Sequence, residues 1–279
     1  MTEQITFIQA LILGIIEGIT EFLPISSTGH LLVSGQMLGA PNTDGTFEIV
    51  IQLGAIIAVI LYYWKKLWAK VKELPKTKEA RHFWVVLFVA FFPAAAVGLL
   101  LHDYIDALLA SPRLQAYVIA ITLIVGGIVL WIVDRKPAEV ANPEDFDCAD
   151  KPLTFREAIW VGIAQCFALI PGMSRSGATI IGGLLLGLSR ARATEFSFYL
   201  SIPTLGAATI YTLIKNFHII VKCGSVASLT VGTIVSFVTS YFAISWLLRY
   251  ISAHNFKGFA IYRIIAGAFI IGWAYMTMG

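Results

Sequence analysis

Glu17-Gly-Ile-Thr-Glu21-Phe-Leu-Pro24-Ile-Ser26-Ser27-Thr28-Gly29-His30 breaks an apolar run with two carboxylates, four hydroxyls and an imidazole, set around a proline and two glycines. Gln165-Cys-Phe-Ala-Leu-Ile-Pro171-Gly172-Met-Ser174-Arg175-Ser176-Gly177-Ala-Thr179 breaks a second one with three hydroxyls and an arginine, again around a proline and glycines. An ungapped shift of 148 positions superposes them, matching Ser26 to Ser174 and Gly29 to Gly177, with Glu17 opposite Gln165. The same shift pairs Thr6-Phe7 with Thr154-Phe155, Gly14-Ile15 with Gly162-Ile163, Gly35 with Gly183, Leu38-Gly39 with Leu186-Gly187 and Thr46 with Thr194. Agreement of this length marks a duplicated unit.

Composition sets the solvent around that unit. Of the 279 residues, 58% are hydrophobic and 13% charged, and the mean hydropathy is +0.79. An average soluble domain carries about 25% charged residues, so most of this chain is built for lipid and is read as an all-α integral membrane protein. A net charge of +3 is too small to suggest a nucleic-acid partner. Cys148, Cys166 and Cys223 are odd in number and lack metal-ligand spacing, which argues against a disulfide framework or a zinc site. The Met1-Thr-Glu-Gln start has no basic region, so the first apolar segment is expected to persist in the mature protein.

Residues 5–39 predict a broken hairpin rather than a span. The arm 31–38 would cover only about 12 Å of a hydrocarbon core of roughly 30 Å. Segments 47–64, 83–101 and 114–133 are each long enough to cross. The stretch 65–81, with Lys65, Lys66, Lys70, Lys72, Lys76, Lys78 and Arg81, reads as the strongest basic loop and is placed on the cytoplasmic side. Residues 134–153 form a proline-containing acidic linker. The second half then repeats the pattern over 154–279, with a hairpin at 155–188 and spans at 196–214, 226–248 and 259–278. The whole forms one membrane domain, with residues 1–133 as the first repeat.

Charge bias swaps between the halves. The counterpart of the basic loop, 215–225, is only mildly basic, whereas the counterpart of the acidic loop 101–112 carries Arg249 and Lys257. This predicts an inverted-topology repeat with six transmembrane helices, two re-entrant helical hairpins and both termini outside. The alternative is eight ordinary spans in parallel repeats. Hairpins entering from opposite faces would bring their tips together near the midplane, where only protein or a watery cavity satisfies such backbone.

On a helix Glu17 and Glu21 share one face, so their charges repel and need a cationic partner. Arg175, a protonated His30 or a divalent cation, Mg²⁺ or Ca²⁺, could supply it, with Glu17 and Glu21 as metal ligands. Otherwise the pair is simply hydrated near the interface. Ser26, Ser27 and Thr28 before His30 offer hydroxyl nucleophiles beside a base, or no more than helix caps. Arg175, alone in the Gly/Ser turn Gly172-Met-Ser174-Arg175-Ser176-Gly177, supplies a fork of donors suited to phosphate, and can also be a structural partner of Glu17 or Glu21. Glu48, Gln52 and Glu195 are candidates to line the site. Arg263, early in the last span, is read as an interfacial anchor in preference to a lipid-phosphate contact, and the tryptophans near span ends as aromatic belts.

These two motifs resemble the signatures of the bacterial undecaprenyl-diphosphate phosphatases of the BacA/UppP type. Phe47-Glu48-Ile-Val-Ile-Gln52-Leu-Gly54 and Phe259-Ala-Ile-Tyr-Arg263 are also similar to that family, and the likeness runs along essentially the full chain. The resemblance implies hydrolysis of undecaprenyl diphosphate to undecaprenyl phosphate in the bacterial plasma membrane, recycling the lipid carrier for peptidoglycan, with a link to bacitracin resistance. It further implies a site opening to the outer face. Joined to the residues, it makes Glu21, Ser27, His30, Glu17 and Arg175 the catalytic set. Ser27 is the expected nucleophile and His30 its proton partner, with water activated by Glu21 as the alternative. Ser26, Thr28, Ser174, Arg175, Ser176 and Thr179 are the expected substrate contacts. An inverted-repeat lipid-carrier flippase or ion-coupled transporter would leave similar traces. The Lys/Arg-Pro and distal Arg-His-Asp elements of the acid phosphatase motif class are missing. The oligomeric state is left open, a homodimer included.

Overall fold

Thr6 begins the first helix with a reciprocal cap: its hydroxyl accepts from Gln9 N at 3.3 Å, and its own N–H donates to Gln9 Oε1 at 2.9 Å. Thr154, 148 residues later, caps its helix in the same way with Glu157. The computed structural model describes residues 4–41, 45–108, 111–135, 148, 151–215 and 226–278, and the side chains of all but 102–108 and 278. Most of the acidic linker, Cys223 and the loop around 216–225 lie outside the described residues.

From Thr6 the chain forms α1 (Phe7–Thr20), a tight turn, and α2 (Ser27–Met37). Next come α3 (Thr46–Tyr62), α4 (Trp64–Glu73), α5 (Lys78–Leu108) and α6 (Pro112–Val133). The second half follows as α7 (Phe155–Cys166), a 3₁₀ turn at Phe167–Leu169, α8 (Arg175–Leu185), α9 (Arg190–Lys215), α10 (Val226–Ile251) and α11 (Lys257–Met278). Both ends of α8 lie 148 residues beyond those of α2. At 14 residues, α1 reaches about 21 Å, too short to cross.

Among the described residues α5, α6, α9, α10 and α11 are long and apolar enough to span, and a sixth span exists if α3 and α4 are counted as one element bent by 71°. The chain is an all-α integral membrane protein. The stretch expected as a basic loop is largely the helix α4, whose lysines alternate with Trp64, Leu67, Trp68 and Val71, a pattern that suits a helix lying at an interface.

The halves are laced together. Helix α1 packs on α10, and α7 packs on α5, so each hairpin leans on the second long helix of the other half. Glycine permits both contacts: a β-carbon at Gly14 would stand 2.6 Å from Gly232 O, and one at Gly162 would stand 2.5 Å from Ala90 O. The pairs α3 with α9 and α6 with α11 complete the bundle. Asp134 and Arg190 pair at 2.7 Å, and Asp134 also accepts from Phe256 N at 2.6 Å, which ties the start of the linker to α9 and α11.

Candidate active site

Both hairpins turn through the same strained conformation. Ser26 (φ 70°) and Ser174 (φ 72°) are the positive-φ residues other than glycine among the described residues, and each sits at the N-cap of its inner helix. L-residues avoid this region, so surrounding contacts must hold the turns in place. The Ser174 hydroxyl accepts from Gly177 N at 3.1 Å, whereas Ser26 makes no side-chain cap.

The contacts between tips are direct. Arg175 Nη2 donates to Glu21 Oε1 at 2.8 Å, with both side chains buried, and Ser27 Oγ donates to Glu21 Oε2 at 2.6 Å. Arg175 Nη1 donates to Ser197 O at 3.0 Å, its guanidinium lies over the Phe22 ring, and its Nε has no hydrogen-bond partner among the described residues. Ser176 Oγ donates to Leu23 O at 2.8 Å. One turn back on α1, Glu17 is fully buried, and neither of its carboxylate oxygens has a hydrogen-bond partner among the described residues. Glu48 lies within Coulombic reach of it. Gln165, the counterpart of Glu17, accepts from Thr204 Oγ1 at 3.2 Å.

His30 is not paired with Ser27. Its Nδ1 lies 2.7 Å from Ser26 O and so must donate, because a carbonyl only accepts; Nε2 lies 2.6 Å from the Tyr262 hydroxyl. The ring is drawn back onto the carbonyl four residues before it, which leaves Glu21 as the base within reach of Ser27. Thr28 is exposed at the same tip. Thr179 is committed elsewhere, its hydroxyl bonding to Ser197 Oγ at 2.7 Å and to Arg175 O at 3.0 Å. With Ser174 and Ser176 it forms the scaffold of the second tip.

Arg263 corrects the anchor expectation. It is wholly buried and donates to Pro24 O at 3.1 Å, Met173 O at 2.9 Å, Leu123 O at 3.2 Å, and Gly172 O and Thr122 O at 3.3 Å each. One guanidinium thereby holds both hairpin tips and α6 in register. The space it needs is opened by Gly126, where a β-carbon would collide with its Nη2. Thr122 reinforces the joint by donating to Pro171 O at 2.6 Å. Ser197, Tyr262 and Arg263 are thus site residues that sequence reasoning missed or misassigned. The signal available was polar character inside otherwise apolar helices. Glu195 parts company with the site: it pairs with Lys66 at 3.1 Å on the basic side of the bundle.

The family model described as "Bacitracin resistance protein BacA" matches residues 10–269, a span that contains every residue of the tip cluster from Glu17 to Arg263. The chain belongs to the BacA family. Its relatives include an undecaprenyl-diphosphatase of Albidiferax ferrireducens, 47% identical with 97% of this chain and 96% of that one covered. One from Deinococcus radiodurans is 44% identical, with 95% and 94% covered, and undecaprenyl-diphosphatase 1 of Burkholderia thailandensis is 44% identical, with 95% and 96% covered. In this BacA-family chain the matched region thus takes in both hairpin tips, the long helices that brace them and the arginine that joins them.

Proposed function

We propose that this BacA-family chain is a membrane phosphatase that converts undecaprenyl diphosphate to undecaprenyl phosphate and inorganic phosphate. The observation that carries the reading is the buried Glu21–Arg175–Ser27 cluster assembled across two hairpin tips, in a chain whose near relatives bear the name undecaprenyl-diphosphatase.

The Arg175 fork grips the terminal phosphate and stabilises the charge that spreads over its oxygens during transfer. Ser27 Oγ attacks that phosphorus and passes its proton to Glu21; the bond to the bridging oxygen breaks, and undecaprenyl phosphate leaves. Water then hydrolyses the phosphoserine, releasing phosphate and regenerating Ser27. The competing route has Glu21 activate water directly, and it leaves no phosphoserine. The proton-handling role expected of His30 would run through Nε2, which accepts from the Tyr262 hydroxyl while Nδ1–H is committed to Ser26 O, so the ring must gain a proton before it acts as an acid. Ser26 and Thr28 face the substrate.

A divalent cation, Mg²⁺ or Ca²⁺, fits the residues present. Glu17 offers two buried oxygens without protein partners, Glu21 lies one turn away, and phosphate oxygens would complete the shell. Among the described residues no group of three or more acidic, histidine or cysteine ligands exists, so substrate must supply the remainder. The cation would neutralise diphosphate charge. We place the protein in the bacterial plasma membrane with its hairpins inverted and its site open to the outer leaflet. The flippase reading draws on the repeat alone.

Purified protein given undecaprenyl diphosphate and Mg²⁺ should release inorganic phosphate, and Glu21→Ala should abolish release. Undiminished release by that variant would sink the assignment. Acid quenching during turnover should trap phosphate on Ser27; a Ser27→Ala protein with wild-type turnover would select the water route.

A further inference from the structure

A cavity of about 720 Å³ opens where α3 bends into α4 and the C-terminal end of α10 passes beside the bend. Its wall carries Lys65, Lys66 and Arg249 against a single carboxylate, Glu195, with Tyr241 and Ser245 adding hydroxyls. Glu195 is already answered: it accepts from Lys66 at 3.1 Å and from Cys148 N at 2.7 Å. Lys65 and Arg249 make no ion pair among the described residues. Lys65 also stands in the first turn of α4, where the helix dipole adds positive potential and the N-cap side chain makes no capping bond. Among the described residues the cavity therefore concentrates more positive charge than its one carboxylate answers, with hydroxyl groups beside it, in a volume suited to a small ligand.

Its surroundings are those of a membrane border. Trp64 and Trp68 stack on each other at the start of α4, and Trp246 stacks on Tyr250 at the end of α10, all three tryptophans near half exposed. Such rings belong at headgroup depth. Leu61 in the cavity wall and Ile57 one turn before it on α3 are exposed apolar side chains, as is Phe242 on α10, which packs against α3. None of the lining residues belongs to the tip cluster. Tyr63 in the cavity wall packs on Tyr199, and Phe198 beside it packs on Phe22 beneath Arg175, so a layer of rings intervenes.

We propose that this cavity binds the phosphate headgroup of an anionic membrane lipid, whose acyl chains lie along these side chains of α3 and α10. The site is separate from the hairpin tips and does not depend on the phosphatase reading. Lys65 and Arg249 supply the charge, and the hydroxyls of Tyr241 and Ser245 donate to phosphate oxygens.

The test is native mass spectrometry of the full chain released from nanodiscs containing equal parts phosphatidylglycerol and phosphatidylcholine. The wild type should retain phosphatidylglycerol in preference to phosphatidylcholine. Lys65→Gln combined with Arg249→Gln should cut that retention by roughly tenfold or more, whereas Lys65→Arg with Arg249→Lys should keep it. Gel filtration and circular dichroism establish that each variant is folded. A wild type without preference overturns the proposal, as does undiminished retention in the glutamine variant. Retention that appears only after Glu144, Asp145 and Asp147 are made amides also overturns it, assigning the cavity to the chain's own acidic linker.

Discussion

At Ser26 and Ser174 the backbone makes one and the same turn, with φ of 70° and 72°, but the side chains around the two turns have diverged. In the second hairpin two hydroxyls close on their own half, Ser174 capping Gly177 and Thr179 reaching Ser197. In the first, Ser26 makes no cap, Thr28 is exposed, and Glu17 keeps both oxygens unpartnered. The two tips sit at matching places 148 residues apart, and the second frames the first. Two of its groups reach the partner hairpin, Ser176 at Leu23 O and Arg175 at Glu21.

The comparison is broken most severely at Arg175. Lysine there keeps a charge beside Glu21 but cannot hold Glu21, Ser197 O and a phosphate with one planar fork. Arg175→Lys should lower kcat/KM for prenyl diphosphate by about 10²–10³-fold, read as phosphate release under subsaturating substrate. Activity within a few-fold of wild type would mean that simple charge suffices.

Glu17→Gln makes the first hairpin copy the second, where Gln165 occupies the matching place. If the carboxylate serves the reaction and not the fold, activity should fall on the order of 10²-fold. Thermal stability in chelator should meanwhile hold or rise, because a buried carboxylate without partners is removed. Loss of stability together with activity would make Glu17 structural.

Arg263→Lys attacks what the tips share. Lysine reaches fewer carbonyls, and each one left unsatisfied in the bundle costs about 1–3 kcal/mol, so melting in detergent should shift downward and turnover fall with it. A variant that melts like wild type would show that the tips hold register without this side chain.

The repeat, the broken hairpins and the polar character of both tips were legible in the sequence, because the 148-residue offset carries caps and turns together: Thr6 with Thr154, Ser26 with Ser174, Gly39 with Gly187. Partner choice was not legible. Nothing in the order of residues says that Ser27 bonds Glu21 and not His30, since both lie within a turn or two, and rotamers settled by packing decide. Arg263 looked like an anchor because its acceptors are backbone carbonyls on three distant segments, and the glycine that admits it, Gly126, is 137 residues away. Likewise α4 read as a loop by its lysine content, although its apolar residues keep a helical spacing.

The smallest effect gives the finest discrimination between the tips. At positive φ a glycine removes the steric cost borne by serine, on the order of 1 kcal/mol. At position 26 nothing offsets that gain, since the Ser26 side chain makes no cap. At position 174 glycine also deletes the hydrogen bond to Gly177 N and the contact with Ser176 Oγ, which returns a few tenths of a kcal/mol or more. Ser26→Gly should therefore raise the melting temperature more than Ser174→Gly does, in the same detergent and without substrate. Equal shifts would mean that the second cap contributes nothing, and that the two hairpins differ only in the side chains they point at phosphate.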